Sequence, residues 1–115
     1  LFPYTTLFRS MTNALSNCTY TDLSIAFNDA MADCPFDTVW DKLYRAYDVS
    51  WYITPNDARD VARRLFENSA EDILQCSGDE ATSESGCMKI VFTNMGYRVD
   101  CEISWVCSHT GNNCK

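Results

Sequence analysis

The chain has 115 residues, with 16 acidic side chains against 9 Lys and Arg and a formal charge of −7. That length suits one ordinary domain with a single core. The acidity repels phosphate backbones and anionic lipid, which disfavours nucleic acid or a membrane surface as a general partner, and no run of about 18 apolar residues supplies a membrane span.

The first ten residues, "LFPYTTLFRS", carry no carboxylate. Their codons can be written so that they reproduce a common short-read sequencing adapter. Residues 1–10 are therefore expected to be a non-native, adapter-derived segment, and 11–115 a single cysteine-rich domain. The seven cysteines are Cys18, Cys34, Cys76, Cys87, Cys101, Cys107 and Cys114. That density points to an oxidised, secreted domain rather than a cytosolic enzyme, and all seven are disulfide candidates. The sequon Asn17-Cys18-Thr19 makes Asn17 a glycosylation candidate of an extracellular protein. An odd count leaves one thiol free, joined to another chain, or separated from a lost partner, so a monomer or a disulfide-linked dimer is expected.

Taken in chain order, "TDLSIAFNDAMADC" places Leu23, Ala26, Phe27, Ala30, Met31 and Cys34 on one helical face, with Thr21 as the expected N-cap. Pro35 then stops this helix or starts another. In "PFDTVWDKLYRAY", Phe36, Trp40, Leu43, Tyr44 and Tyr47 repeat the pattern. "DVSWYI" reads as an extended connection holding Trp51. The strongest helix signal is "TPNDARDVARRLFEN", with Thr54 as N-cap, Pro55 at the first position, Asp57 at the third, and Ala58, Val61, Ala62, Leu65 and Phe66 inward. "SAEDILQC" adds a short further turn before Gly78.

"SGDEATSESG" is small, acidic and aperiodic and reads as a mobile surface loop. "CMKIVFTNMGYRVDCEISWVC" reads as a hairpin. A two-residue turn at Met95-Gly96 would pair Phe92 with Val99, Ile90 with Cys101 and Met88 with Ile103, keeping charge off the apolar face. A three-residue turn would mix Arg98, Asp100 and Glu102 into it. The expected fold is α+β: three or four amphipathic helices packed on a small antiparallel sheet, the C-terminal hairpin 87–107, stabilised by disulfides. A Cys18–Cys34 bond, closing a loop of about 15 residues, would contribute roughly 3 kcal/mol.

Chemistry is sparse. His109 is the only histidine, so a Cys-His nucleophile would need it, but no orienting group or oxyanion site accompanies it. Cys101, Cys107, His109 and Cys114 form a Cys3His set suited to zinc, though their spacing is not that of a zinc knuckle. Arg59, Arg63 and Arg64 read as a solvated helix face rather than an anion stripe. Trp40 and Trp105 sit at core positions, whereas Trp51 lies where periodicity demands no burial and is the ligand-surface candidate.

The tail "SHTGNNC" after "KIVFTN" resembles the end of small fungal guanyl-specific ribonucleases, in which a His before Thr-Gly is a catalytic acid. That role would carry over to His109 alone, and the helical content departs from that family. The order of elements over most of 11–115 resembles small secreted fungal effectors of the killer-toxin type: a cysteine-bounded helix, a Trp-containing extended piece, the helix "ITPNDARDVARRLF" and a Cys-rich hairpin. The resemblance implies a protein acting outside the cell on a host or competitor. The function expected is therefore that of a secreted, non-enzymatic, effector or toxin-like protein without cofactor or metal, binding an extracellular protein or glycan. The alternatives are a secreted ribonuclease-like hydrolase using His109 and an intracellular zinc-binding interaction domain.

Overall fold

The computed structural model describes residues 14–38, 41, 54–85 and 88–105. A single 3-10 turn, Leu15–Asn17, leads into helix α1, Tyr20–Asp33. The backbone is helical again at 36–38 and at 41. Helix α2 spans Pro55–Leu74, and three strands follow: β1 Glu80–Ser85, β2 Met88–Asn94 and β3 Val99–Trp105. They form one antiparallel sheet in the order β1-β2-β3. The expected α+β architecture is present. Trp40, Leu43, Tyr44 and Tyr47 of the anticipated second helix lie outside the described residues. No helix among the described residues is long and apolar enough to cross a membrane.

Both long helices begin with the same device. In α2 the Thr54 hydroxyl accepts from the Asp57 N–H at 3.2 Å, while the Asp57 carboxylate accepts from the Thr54 N–H at 2.9 Å. Two N-terminal donors without helical partners are thus satisfied reciprocally, and Pro55 has no N–H to satisfy. In α1 the cap is Thr19, not Thr21. Asp22 accepts from the Thr19 N–H at 2.8 Å and returns its own N–H to the Thr19 hydroxyl. A capping box needs its acid three residues on, and only Thr19 stands three before Asp22. Thr54→Ala removes the side-chain half of the α2 cap and is expected to cost about 1 kcal/mol. A urea titration followed by circular dichroism measures it, and an unchanged midpoint would refute the role.

Helix α2 runs without interruption to Leu74, so "SAEDIL" is its last turns and not a separate one. Nothing in 66–74 breaks a helix, and Ala70 and Ile73 continue the buried stripe of Ala58, Ala62 and Phe66. Three alanines on that stripe bring the α2 backbone close to its neighbours. The bulk filling the space comes from Leu23 and Phe27 of α1, from Leu15, and from Met88, Ile90 and Phe92 of β2. Phe66 is the pivot: its ring stacks on Phe27 at 4.6 Å and 9° and meets Phe92 at 5.7 Å.

The segment read as a loop is an edge strand. β2 lies between two neighbours and buries Met88, Ile90 and Phe92, so its backbone groups need partners on both sides. β3 supplies one side and residues 80–85 supply the other. Small residues then stand beside large ones, Ala81 opposite Phe92 and Ser83 opposite Ile90, which leaves room for α2 above them. On the other face Glu84 is opposite Lys89. An edge strand packs on one side only, and its exposed acids discourage further pairing. Its low apolar content is therefore compatible with the fold.

The hairpin register differs by two residues from the expected one. Phe92 pairs with Cys101, Ile90 with Ile103 and Met88 with Trp105. The turn holds four residues, Met95–Arg98, closed by the Met95 N–H donating to the Arg98 carbonyl at 2.8 Å. Asn94 accepts from the Gly96 N–H at 2.9 Å, and Gly96 takes a φ of 89° that favours glycine. Side chains alternate with period two, so turns of two and four residues sort charge equally well. The Asn94 hydrogen bond and the Gly96 conformation select the longer one.

Candidate groove between helix α1 and strand β3

β3 pairs with β2 on one side only, and among the described residues no strand pairs with its other side. α1 crosses beside it, and between them runs an open groove of about 610 Å³. One wall carries Ile25, Asp29 and Asp33 of α1. The other carries Tyr97 and Arg98 of the turn and Asp100 at the start of β3, with Ala26, Val99 and Cys101 deeper. Ile25 is 57% exposed and Tyr97 79% exposed, two large apolar surfaces on opposite walls.

The charge of the groove is lopsided. Asp22, Asp29, Asp33 and Asp100 line it against Arg98 alone. The Arg98 guanidinium is bound to Asp100 at 3.0 Å and lies 5.6 Å from the Tyr97 ring centre, so it is occupied on its own wall. Asp22 is held ionised, its carboxyl below the usual range because the Thr19 N–H and hydroxyl donate to it. Strand edge, exposed apolar side chains and an acidic lining suit the binding of an extended chain.

Four of the cysteines fall among the described residues. Cys18, Cys34, Cys76 and Cys101 are half-buried free thiols, so no disulfide among them supports the expectation of a disulfide-stabilised fold, and Cys18 and Cys34 are not joined. Their positions show what packing does instead. The Asn94 amide donates to the Ala14 carbonyl at 3.3 Å and to the Cys18 sulfur at 3.5 Å, and the Cys76 thiol donates to the Glu80 carbonyl at 3.2 Å. Cys34 caps the C-terminus of α1 and directs its sulfur 3.9 Å from the Ile103 carbonyl of β3. Cys101 stands two residues earlier on the same strand and packs against the same core.

Burial raises the Cys34 thiol, with Arg59 opposing, and pushes Cys101 up to about 12, with the charges of Cys34 and Glu102 adding. Because the folded value lies above the unfolded one, this contribution is intact below about pH 9 and is lost as pH rises towards 12. Reduced protein is thus expected to weaken across that alkaline window, with Cys101→Ala showing a shallower decline than wild type in urea midpoints. Equal slopes would remove Cys101 as a cause.

Asn17 is exposed in the 3-10 turn, an accessible place for a glycan. Thr19 of the sequon is also the α1 cap. Trp105 lies edge-on to Phe36 at 6.4 Å, part of the core as its parity suggests. Arg59 and Arg63 cover aromatic faces, Phe36 at 5.0 Å and Phe27 at 5.6 Å, so the arginine stripe shields the core as well as facing water. Trp51, Cys87, Cys107, His109 and Cys114 lie outside the described residues. Among those described, no three His, Cys, Asp or Glu side chains converge as a metal site would require.

The sequence reading missed Ile25 and Tyr97. Ile25 falls off the stripe of Leu23, Ala26 and Phe27, and a large apolar residue on the polar face of a helix is the signal that could have marked it. No protein-family model matches the chain, no curated protein matches it at a significant level, and no solved structure does so either.

Proposed function

We propose that this chain is a small secreted, non-enzymatic binding protein of effector or toxin-like kind, which holds an extended, cationic segment of an extracellular protein in the groove between α1 and β3. The observation that carries the reading is that groove: a side of β3 that no described strand pairs with, flanked by exposed Ile25 and Tyr97 and lined by four aspartates against one arginine. A peptide laid along β3 would complete its hydrogen bonds, place apolar side chains on Ile25 and Tyr97, and direct Lys or Arg at Asp29 and Asp33. Such pairs steer the encounter and weaken with salt. Seven cysteines and the exposed Asn17 support export to an oxidising compartment, where the thiols would pair.

Selection from a displayed random-peptide library tests the reading. Enriched peptides should alternate apolar and basic residues, bind less tightly as salt rises, and lose binding to the exposed-site variants Ile25→Glu and Asp29→Lys. Neutral or acidic enriched peptides, or binders indifferent to both variants, would overturn it.

A further inference from the structure

We infer that Cys34 and Cys101 are a disulfide-forming pair that joins the C-terminus of α1 to the middle of β3. Three observations converge on it. The Cys34 sulfur is directed at β3, within 3.9 Å of the Ile103 carbonyl. Cys101 and Ile103 are separated by one residue on that strand, so their side chains share the face that meets α1. Cys34 and Cys101 also lie near enough for the charge of one thiolate to penalise the other. By contrast, Cys18 opens α1 at its other end against Asn94, and Cys76 is engaged with Glu80 at the start of β1.

The step needs an oxidant, and a small-molecule disulfide such as oxidised glutathione serves. The Cys34 thiol, whose rise from burial Arg59 opposes, ionises and attacks one glutathione sulfur. The glutathione S–S bond breaks, one glutathione leaves as thiolate, and a mixed disulfide remains on Cys34. Cys101 then loses its proton and attacks the Cys34 sulfur, expelling the second glutathione. Two protein thiols are oxidised, one glutathione disulfide is reduced to two thiols, and the two protons pass to them. Formation should accelerate with pH because the attacking species is the thiolate. Once formed, the bond removes two thiols that burial makes hard to ionise, and a weakly acidic leaving group slows its reversal. Cys34 closes α1 and Cys101 lines the groove, so the bond would fix the two groove walls relative to each other.

The pairing is a property of the folded chain and is tested without any groove ligand, so it stands or falls separately from the binding function. The full reduced chain is treated with oxidised glutathione under native, mildly alkaline conditions. Free thiols are then alkylated, and the protein is cut by an acid-residue-specific protease before mass spectrometry. Asp29 and Asp33 separate Cys34 from Cys18, and Glu102 separates Cys101 from Cys107. The expected product is a fragment pair linked through Cys34 and Cys101. A variant keeping only these two cysteines should lose two hydrogens in mass, whereas one keeping only Cys18 and Cys34 should not. Cys34 joined to any other cysteine, or both thiols still alkylated in the two-cysteine variant, would overturn the inference.

Discussion

Phe66→Ala is expected to destabilise the protein by about 3–5 kcal/mol, a large share of the roughly 5–15 kcal/mol that holds a domain together. Phe66 is 2% exposed and, among the described residues, is the one ring that touches three others: Phe27 stacked at 4.6 Å, Tyr20 at 5.6 Å and Phe92 at 5.7 Å. Those partners belong to α1 and β2, so the ring is where both helices and the sheet meet. Truncation leaves a void that α2 cannot fill by moving closer. Its stripe of Ala58, Ala62 and Ala70 already sets a short approach, and its backbone is rigid. Urea unfolding of the reduced protein measures the loss. A cost below about 1 kcal/mol would mean that the site collapses freely and that the ring cluster is not the centre of the core.

Phe36→Ala should have an effect of similar size, about 3–5 kcal/mol, with a different signature. Phe36 is fully buried although it follows the end of α1, where the chain turns at Cys34 and Pro35. Its ring meets Trp105 of β3 edge-on at 6.4 Å and 88°, and the Arg59 guanidinium of α2 covers its face at 5.0 Å. Arg59 is also 3.8 Å from the exposed Asp37, a contact that adds little by itself because water screens it. Arg59→Ala should therefore cost only about 0.5–1 kcal/mol, chiefly the cation–aromatic contact. With Trp40 and Trp51 replaced by Phe so that Trp105 alone emits, Phe36→Ala should change the emission in the folded state as its neighbour is lost, whereas Phe66→Ala should leave that emission close to the parent's. Unaltered tryptophan emission in folded Phe36→Ala would argue against the contact. The two variants thus separate the end of α1 over β3 from the centre of the core.

The elements legible in the sequence are those whose signal is local. The start of α2 needed only Thr54, Pro55 and Asp57, because the cap satisfies its own backbone donors within four residues. The inward faces of both helices followed from the 3.6-residue period, and the sorting of β2 and β3 into an apolar and a charged face followed from parity. The same reasoning misplaced the α1 cap by two residues, since Thr19 and Thr21 are alike until the carboxylate partner is considered.

What remained hidden depends on neighbours distant in sequence. Residues 80–85 have no strand pattern of their own. They are extended because β2, buried on one face and flanked by β3 on one side, presents a second row of backbone groups that must be paired. The register of β2 and β3 was open to parity, which repeats every two residues. It was closed by the Asn94 side chain and by Gly96 at a positive φ. The groove belongs to the same class. Composition announced an acidic protein, but gathering Asp29, Asp33 and Asp100 between Ile25 and Tyr97 required α1 to lie along the edge of β3. The sequence by itself thus determined charge, helix starts and which faces turn inward, all set by interactions within a few residues. Only the tertiary structure decided strand partners, register and the binding surface, because each depends on which distant backbone and side chains the core brings together.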